Sequence, residues 1–418
     1  MKKKSVAVVI VSNGPGELTT WVKPVINEFK KIINLADSDI NISLRLALVP
    51  CSNATGREPQ VARSWEEFDL ITPAKYFWRL LIQPSKFAHW PKNGTVVFLG
   101  GDQFWSVLLA KRLGYKSITY AEWVARWPKW NYLIAAMNEQ VKNKLSKKNQ
   151  KNCRVIGDLM ADIQNKNYSN INLHGQWLAI LPGSKKAKLS IGVPYFLEVA
   201  DYLSKYNLNL KILIPLAPTT NLDDYLYYQS PKNPITKYYS SQIKSINKID
   251  NSVFDYIIET EKKTKIYILT SHPNHEILSK CSLAITTVGA NTAELAAINL
   301  PMMVVLPTQH LIHMEAWDGI IGILAKVSFI NKIIIALLKG WYLKNKKYFA
   351  WPNIKAKKMI VPEKIGDFSP DDIAKEISIL INDQQRLANQ KTNLSKQRGR
   401  RGATKKLAEM IYKSILIS

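Results

Sequence analysis

The sequence has only three cysteines, Cys51, Cys153 and Cys281, far apart and with no Cys-x-x-Cys pair among them. That excludes a disulfide framework and a structural zinc site built on paired thiolates, and it suits a reducing cytoplasm. A Gly-x-Gly-x-x-Gly run is missing, so the standard dinucleotide fingerprint is absent. No internal repeat of solenoid period is found. Long uninterrupted apolar runs are missing too. The most apolar stretch, 320–338, is broken by Lys326, Asn331 and Lys332, which argues against a spanning helix. The run 6–11 behind the first lysines is too short for a secretion signal and breaks at once into Ser12-Asn13-Gly14-Pro15-Gly16-Glu17. Negative charge is scarce: 32 acidic against 58 basic residues leave a formal charge of +26. The balance points to a polyanionic partner, whether nucleic acid, anionic lipid surface or phosphorylated substrate, although a Lys- and Asn-rich composition alone would give the same figure.

What is present is enough apolar material for two cores. Of 418 residues, 46% are hydrophobic, a length that suits two domains better than one. Short β-branched runs at 6–12, 44–49, 96–99, 117–120 and 133–136 read as buried strands, separated by amphipathic segments such as 20–33 and 104–113, and 154–156 closes the first half. The Asn-rich, aperiodic stretch 164–175 reads as a boundary. The pattern restarts at 177–181, 210–215, 265–269, 283–286 and 302–306, while 225–250, polar and rich in Tyr, Lys and Ser, reads as an insertion or long loop. Strands alternating with helices predict two α/β domains with mostly parallel sheets, over 1–165 and 166–390, with a basic segment and apolar-periodic helix at 391–418 expected to pack back on the first domain. The 320–338 stretch, flanked by Lys339, Trp341, Tyr342, Lys344, Lys346 and Lys347, suits either a helix lying on a membrane surface or an ordinary buried helix pair.

Three loops carry chemistry. Asn13, Gly14, Gly16 and Glu17 lie between strand one and helix one, where glycines let backbone approach a ligand; a tight turn capped by threonine fits the same residues. Leu181-Pro182-Gly183-Ser184-Lys185-Lys186 follows the first strand of the second half. A backbone N–H, a hydroxyl and an ammonium can together hold phosphate there, while a plain turn with surface lysines is the competing reading. The third and most specific is Thr286-Thr287-Val288-Gly289-Ala290-Asn291-Thr292-Ala293-Glu294. A strand meets a helix beginning near Ala290, whose first amides can face a diphosphate, and Glu294 lies a turn further on, where a carboxylate can accept ribose hydroxyls.

At this point the residues resemble a family. Residues 288–305 are similar to the nucleotide-sugar loop of lipid-A-disaccharide synthases and the wider GT-B glycosyltransferases. The turn at 181–185 resembles their Pro-Gly-Ser-Arg, with Lys185 in place of arginine. Gly100-Gly101-Asp102, the aromatic segment Tyr120-Ala121-Glu122-Trp123-Val124-Ala125-Arg126-Trp127, Trp351-Pro352-Asn353 and Val361-Pro362-Glu363 resemble further family segments, in collinear order over nearly the whole chain. Gly14-Pro15-Gly16-Glu17 departs from the family's opening motif, and lysine lacks arginine's planar fork.

The resemblance implies a GT-B fold, two Rossmann-like domains facing across a cleft, the first taking the acceptor and the second a nucleotide-sugar donor of UDP-N-acetylglucosamine type. It implies inverting, metal-independent transfer to a lipid or lipid-linked acceptor, as in lipid A biosynthesis, with no cofactor, at the cytoplasmic face of an anionic membrane. Asp102 is then the candidate base and Glu17 the reserve; Lys185 and the amides of Gly289, Ala290, Asn291 and Thr292 hold the diphosphate, with Gly183 and Ser184, and Glu294 holds the ribose. Asp102 also reads as an N-cap for the following helix. Asp37-Ser38-Asp39 has the spacing of a metal-binding pair but sits in a polar connection. His272/His275 and His310/His313 lack a third ligand series. A UDP-N-acetylglucosamine 2-epimerase and a basic nucleic-acid-binding protein remain the alternatives, though no nucleic-acid module is recognisable.

Overall fold

A computed structural model describes residues 4–36, 40–51, 54–164, 173–250, 252–309, 348–399 and 401–417. The Asp37/Asp39 pair, His310, His313 and the 320–338 stretch with its flanking lysines lie outside these residues. The chain divides into two compact units, Met1–Asn165 with Gly399–Ser418, and Lys166–Arg398.

The first unit is built on seven parallel strands: β1 (Lys4–Ser12), β2 (Ile40–Leu48), β3 (Leu70–Thr72), β4 (Asn93–Phe98), β5 (Lys116–Ala121), β6 (Leu133–Ala136) and β7 (Cys153–Val155). Their order is β3-β2-β1-β4-β5-β6-β7. β1 is apolar at every position from Val6 to Val11 because successive side chains enter different cores: Val6, Val8 and Ile10 one, Ala7, Val9 and Val11 the other. The first core is covered by the Lys23–Leu35 helix through Val25, Ile26 and Phe29, and by the Ala403–Leu416 helix through Leu407, Ile411 and Ile415. Polar contacts fix that last helix. The Asp162 carboxylate accepts from the Gly402 and Thr404 amides at 2.6 and 2.7 Å and from the Thr404 hydroxyl at 2.7 Å, and Thr95 Oγ1 meets Ser414 Oγ at 2.8 Å inside the core.

The second unit holds β8 (Trp177–Leu181), β9 (Lys211–Pro215), β10 (Ile243–Lys248), β11 (Tyr256–Thr260), β12 (Lys265–Leu269), β13 (Leu283–Thr286), β14 (Met302–Pro307) and β15 (Glu363–Gly366). The order is β10-β11-β12-β9-β8-β13-β14-β15, parallel from β12 to β15 and antiparallel across β10-β11-β12. Its core is closed by the Lys186–Tyr206 and Pro370–Asn382 helices. The unit runs on to Arg398 because Gln384–Gln397 is one helix whose Leu387 joins this core.

Of the two readings of 225–250, an insertion or a long loop, the long loop is corrected. That region holds most of a Leu222–Gln229 helix, started by an Asn221/Asp224 capping box, and then β10. β10 forms the sheet edge and is exposed at most positions, so it carries Lys244, Asn247 and Lys248 instead of an apolar signature. The turn after β1 also differs from the threonine-capped one: helix begins at Pro15, and the Thr19 and Thr20 hydroxyls bond back to the Pro15 and Gly16 carbonyls.

Both sheets share one property that locates ligands. In each, the chain builds outward from a central strand and then returns to its other side, opening a crevice at the carboxyl ends of two parallel neighbours. In the first unit those neighbours are β1 and β4; in the second, β8 and β13.

Candidate functional site

The β1/β4 switch point carries a cavity of about 580 Å³ lined by Asn13, Glu17, Trp21, Asp102, Tyr120 and Glu122, among others. Gly100 makes the closure possible: at φ +138°, its added Cβ would stand 2.9 Å from Ser12 Oγ and 3.1 Å from the Glu17 side chain. Gly14 and Gly16 shape the turn, Gly14 lying under the Glu17 carboxylate and Gly16 accepting from Thr20 Oγ1 at 2.7 Å. The turn then widens into a single π-helical stretch, Leu18–Val22, that carries Trp21.

Asp102 does two things here. Oδ1 accepts the Phe104 amide at 2.9 Å, capping the Gln103–Leu113 helix, while Oδ2 stands 3.8 Å from Arg126 Nη1 in a half-exposed pair. The loop bearing Arg126 is held from both ends. Gln103 donates to the Val124 carbonyl at 2.9 Å and accepts the Arg126 amide at 2.6 Å, and Asn131 is gripped by Ser117 and Thr119 at 3.0 and 2.6 Å. Tyr120 is fully buried, and burial pushes its phenol well above the usual range, so it faces the cavity as a neutral group. Two cavity-side polar atoms, Asn13 Oδ1 and Trp21 Nε1, are buried without a hydrogen-bond partner among the described residues. An unmade bond of this kind costs about 1–3 kcal/mol, which a polar ligand or water would recover.

An aromatic surface adjoins the cavity. Trp123, Trp127, Trp130 and Trp78 are 42, 44, 48 and 49% exposed. Ring contacts run from Trp78 to Trp105 (5.0 Å), Phe104 (5.2 Å), Trp127 (5.3 Å) and Trp130 (5.6 Å), with Lys111 Nζ 5.6 Å from the last ring.

At the β8/β13 switch point the two glycine loops meet. The Thr287 amide donates to Leu181 O at 3.3 Å, and Lys188 Nζ donates to the Val288 carbonyl. Gly183 and Gly289, at φ +119° and +147°, pack on that lysine; a Cβ at either would come within 2.7 Å of Lys188 Cβ or 2.9 Å of its Nζ. Lys185 is the N-cap residue of the Lys186–Tyr206 helix, beside Ser184. Ala290 precedes the Asn291–Ala297 helix; Asn291 Nδ2 reaches Thr286 Oγ1 at 3.4 Å, and Thr292 Oγ1 donates to Gly289 O at 2.8 Å while accepting from the Trp351 amide at 3.0 Å. Glu294 Oε2 lies 3.7 Å from His275 Nε2. His275 opens a helix that His272 precedes, so that histidine pair does not share a helix face. Among the described residues, no group of three or more His, Cys, Asp or Glu side chains could hold a metal ion, and no helix is long and apolar enough to cross a membrane.

Thus Asn13, Glu17 and Asp102 gather at one switch point, and Gly183, Ser184, Lys185 and 289–292 at the other, with Glu294 a turn beyond. Sequence reasoning missed Lys188 and Trp21, each one helical turn past a glycine loop, where charged and aromatic residues ordinarily read as a solvated or core face.

The architecture matches solved proteins over its full length. The S. aureus MnaA–UDP co-structure covers 99% of this chain and 98% of its own at a TM-score of 0.55 and 11% identity. The Neisseria meningitidis UDP-GlcNAc 2-epimerase bound to UDP-GlcNAc covers 98% and 100% at 0.54 and 13%. Arabidopsis thaliana UGT89C1 complexed with UDP covers 98% and 100% at 0.51 and 12%. The fold is GT-B. No family model matches this GT-B chain. By sequence it is similar to the lipid-A-disaccharide synthase of Wigglesworthia glossinidia brevipalpis, 27% identical over 246 residues, 56% of this chain and 49% of that protein. The synthase of Francisella philomiragia is 26% identical over 211 residues, 50% and 41%. The chain therefore spans about half the length of the curated relatives it matches, as a divergent GT-B relative of them.

Proposed function

We propose that this GT-B protein is a glycosyltransferase that moves a sugar from a nucleoside-diphosphate donor, of the UDP-N-acetylglucosamine type, to a lipid or lipid-linked acceptor. The observation that carries the reading is the division of chemistry between switch points: acid-lined cavity at β1/β4, cationic glycine loops at β8/β13. A carboxylate pocket suits an acceptor hydroxyl that must lose a proton. Glycine amides and lysine suit a leaving diphosphate.

In this reading the first unit takes the acceptor and the second the donor. Asp102 Oδ2 removes the proton as the acceptor oxygen attacks the sugar carbon. The bond from that carbon to the diphosphate oxygen breaks with inversion, and the charge left on the diphosphate is met by lysine and by the amides around Gly289–Thr292. Glu294, steadied by His275, accepts from the ribose, and Glu17 orients the acceptor beside Asp102. No metal or cofactor is invoked, so transfer is expected to survive EDTA. The exposed Trp123, Trp127 and Trp130 beside the cavity, with Lys111 and the net charge of +26, suit a protein working at the cytoplasmic face of an anionic bilayer.

The test is a thermal-shift panel of nucleotide sugars followed by incubation with labelled donor and a lipid extract. Selective stabilisation by one donor and label in the lipid phase are expected. Epimerised sugar nucleotide formed without any acceptor would replace this reading with the epimerase one.

A further inference from the structure

We propose that Lys188, not Lys185, is the cation that holds the donor diphosphate; the assignment rests on the donor-binding reading of the second unit and adds to it a residue that motif reasoning passes over. Lys188 sits one turn into the Lys186–Tyr206 helix, yet its ammonium reaches across the switch point to donate to the Val288 carbonyl. Both glycines that define the loops are shaped around it. Gly183 leaves room for the Lys188 stem, and Gly289 leaves its Cα bare where a methyl would press on Nζ at 2.9 Å. A second observation points to a ligand at the same loop: the Thr287 hydroxyl, in a residue only 4% exposed, is buried without a hydrogen-bond partner among the described residues. Thr287 adjoins Val288, and its amide is pinned to Leu181 across the switch point at 3.3 Å.

Lys185 differs in kind. It is the N-cap residue, with extended backbone at φ −110° and ψ 146°, and its side chain makes no hydrogen bond or ion pair among the described residues. A flexible lysine of that sort must lose rotamer freedom to grip a phosphate. Lys188 is already held by the carbonyl it donates to, so less is lost on binding. Its charge, fixed between two strand ends whose loops offer backbone amides, is placed for a group carrying at least two negative charges close together. A nucleoside alone does not present such a group.

The experiment compares UDP, GDP and ADP with their nucleosides by calorimetry and competition binding, on the full chain and on Lys188→Gln, Lys188→Arg and Lys185→Gln. Glutamine removes the charge and keeps an amide donor one bond shorter than the ammonium, and Lys188→Arg restores the charge, so the two variants together separate the cation from the loop contact. Lys188→Gln is expected to weaken the bound nucleoside diphosphate about 10- to 100-fold, the range of a charge-assisted hydrogen bond, while its nucleoside changes less than about twofold. Lys188→Arg should restore most of the affinity, and Lys185→Gln should cost less than Lys188→Gln. The assignment is overturned if diphosphate and nucleoside weaken together along with Tm, which is what a purely structural staple would give, or if Lys185→Gln carries the larger loss. If the unmodified protein binds none of the three diphosphates, the donor-binding reading itself fails, a result distinct from either of those.

Discussion

Asp102→Asn separates two jobs that one side chain performs. The substitution keeps an oxygen for the Phe104 amide, which Asp102 caps at 2.9 Å, and asparagine caps a helix about as well as aspartate. It removes the negative charge that faces Arg126 at 3.8 Å, but with the side chains 61 and 50% exposed that pair contributes only about 0–1 kcal/mol. Stability should therefore barely move. Catalysis should not survive so well: loss of a general base lowers kcat about 10²- to 10⁴-fold, or ~2.7–5.4 kcal/mol of barrier. Asp102→Ala serves as the control. It loses the base and the cap together, so the same fall in kcat should come with about 1 kcal/mol less stability, a drop of roughly 2–4 °C in Tm for a domain of this size. The assay is sugar transfer at saturating donor, with Tm and donor affinity measured on the same preparations. If Asp102→Asn keeps kcat within about threefold of the unmodified protein while Glu17→Gln abolishes it, the base has been misassigned and the residue is only a cap.

Trp127→Ser with Trp130→Ser should halve or better the fraction of protein that floats with phosphatidylglycerol-containing vesicles, with a modest fall in Tm from the lost ring contacts and the protein still folded; unchanged flotation would remove this surface from the membrane reading. Iodoacetamide should label Cys51, which lines the cavity, before Cys153 or Cys281, because both of those are buried and burial pushes the Cys281 thiol up to about 12; peptide mapping after brief labelling checks the order, and early modification of Cys281 would contradict the packing. Gly100→Ala should cost more than an ordinary surface change, about 1–3 kcal/mol, because it adds a clash near Ser12 and Glu17 to an unfavourable φ of +138°; denaturant unfolding measures it, and a neutral result would mean the β1/β4 crevice relaxes.

How much of this could be seen beforehand depended on what each segment must bury. The strands at 6–12, 96–99, 177–181 and 283–286 have parallel neighbours on both sides, so they are largely apolar and stand out, and their alternation with helices made the fold class legible. β10 was illegible because an exposed edge strand is written in lysine and asparagine. The glycine loops were legible as loops, since Gly100, Gly183 and Gly289 hold backbone angles that other residues avoid. What they enclose was not. Nothing in one sequence shows that Lys188 turns inward to a carbonyl a hundred positions away, or that the tryptophans of 123–130 stay outside the core; both follow from packing.

The Ala403–Leu416 helix, tied by Thr404 to Asp162 and by Ser414 to Thr95, has a consequence for synthesis. Residues 1–165 lack one wall of their own core until residues 403–416 have been made, whereas residues 166–398 are complete before that. The early sheet must wait with Val25, Ile26 and their neighbours incompletely covered, and its closing hydrogen bonds span 240 to 319 positions. A chain truncated before residue 403, or a tag placed where that helix docks, should leave a product whose second unit folds while its first remains sticky. The first unit's vulnerability during its making thus lies in residues 403–416, although the damage would be felt in the sheet that they cover.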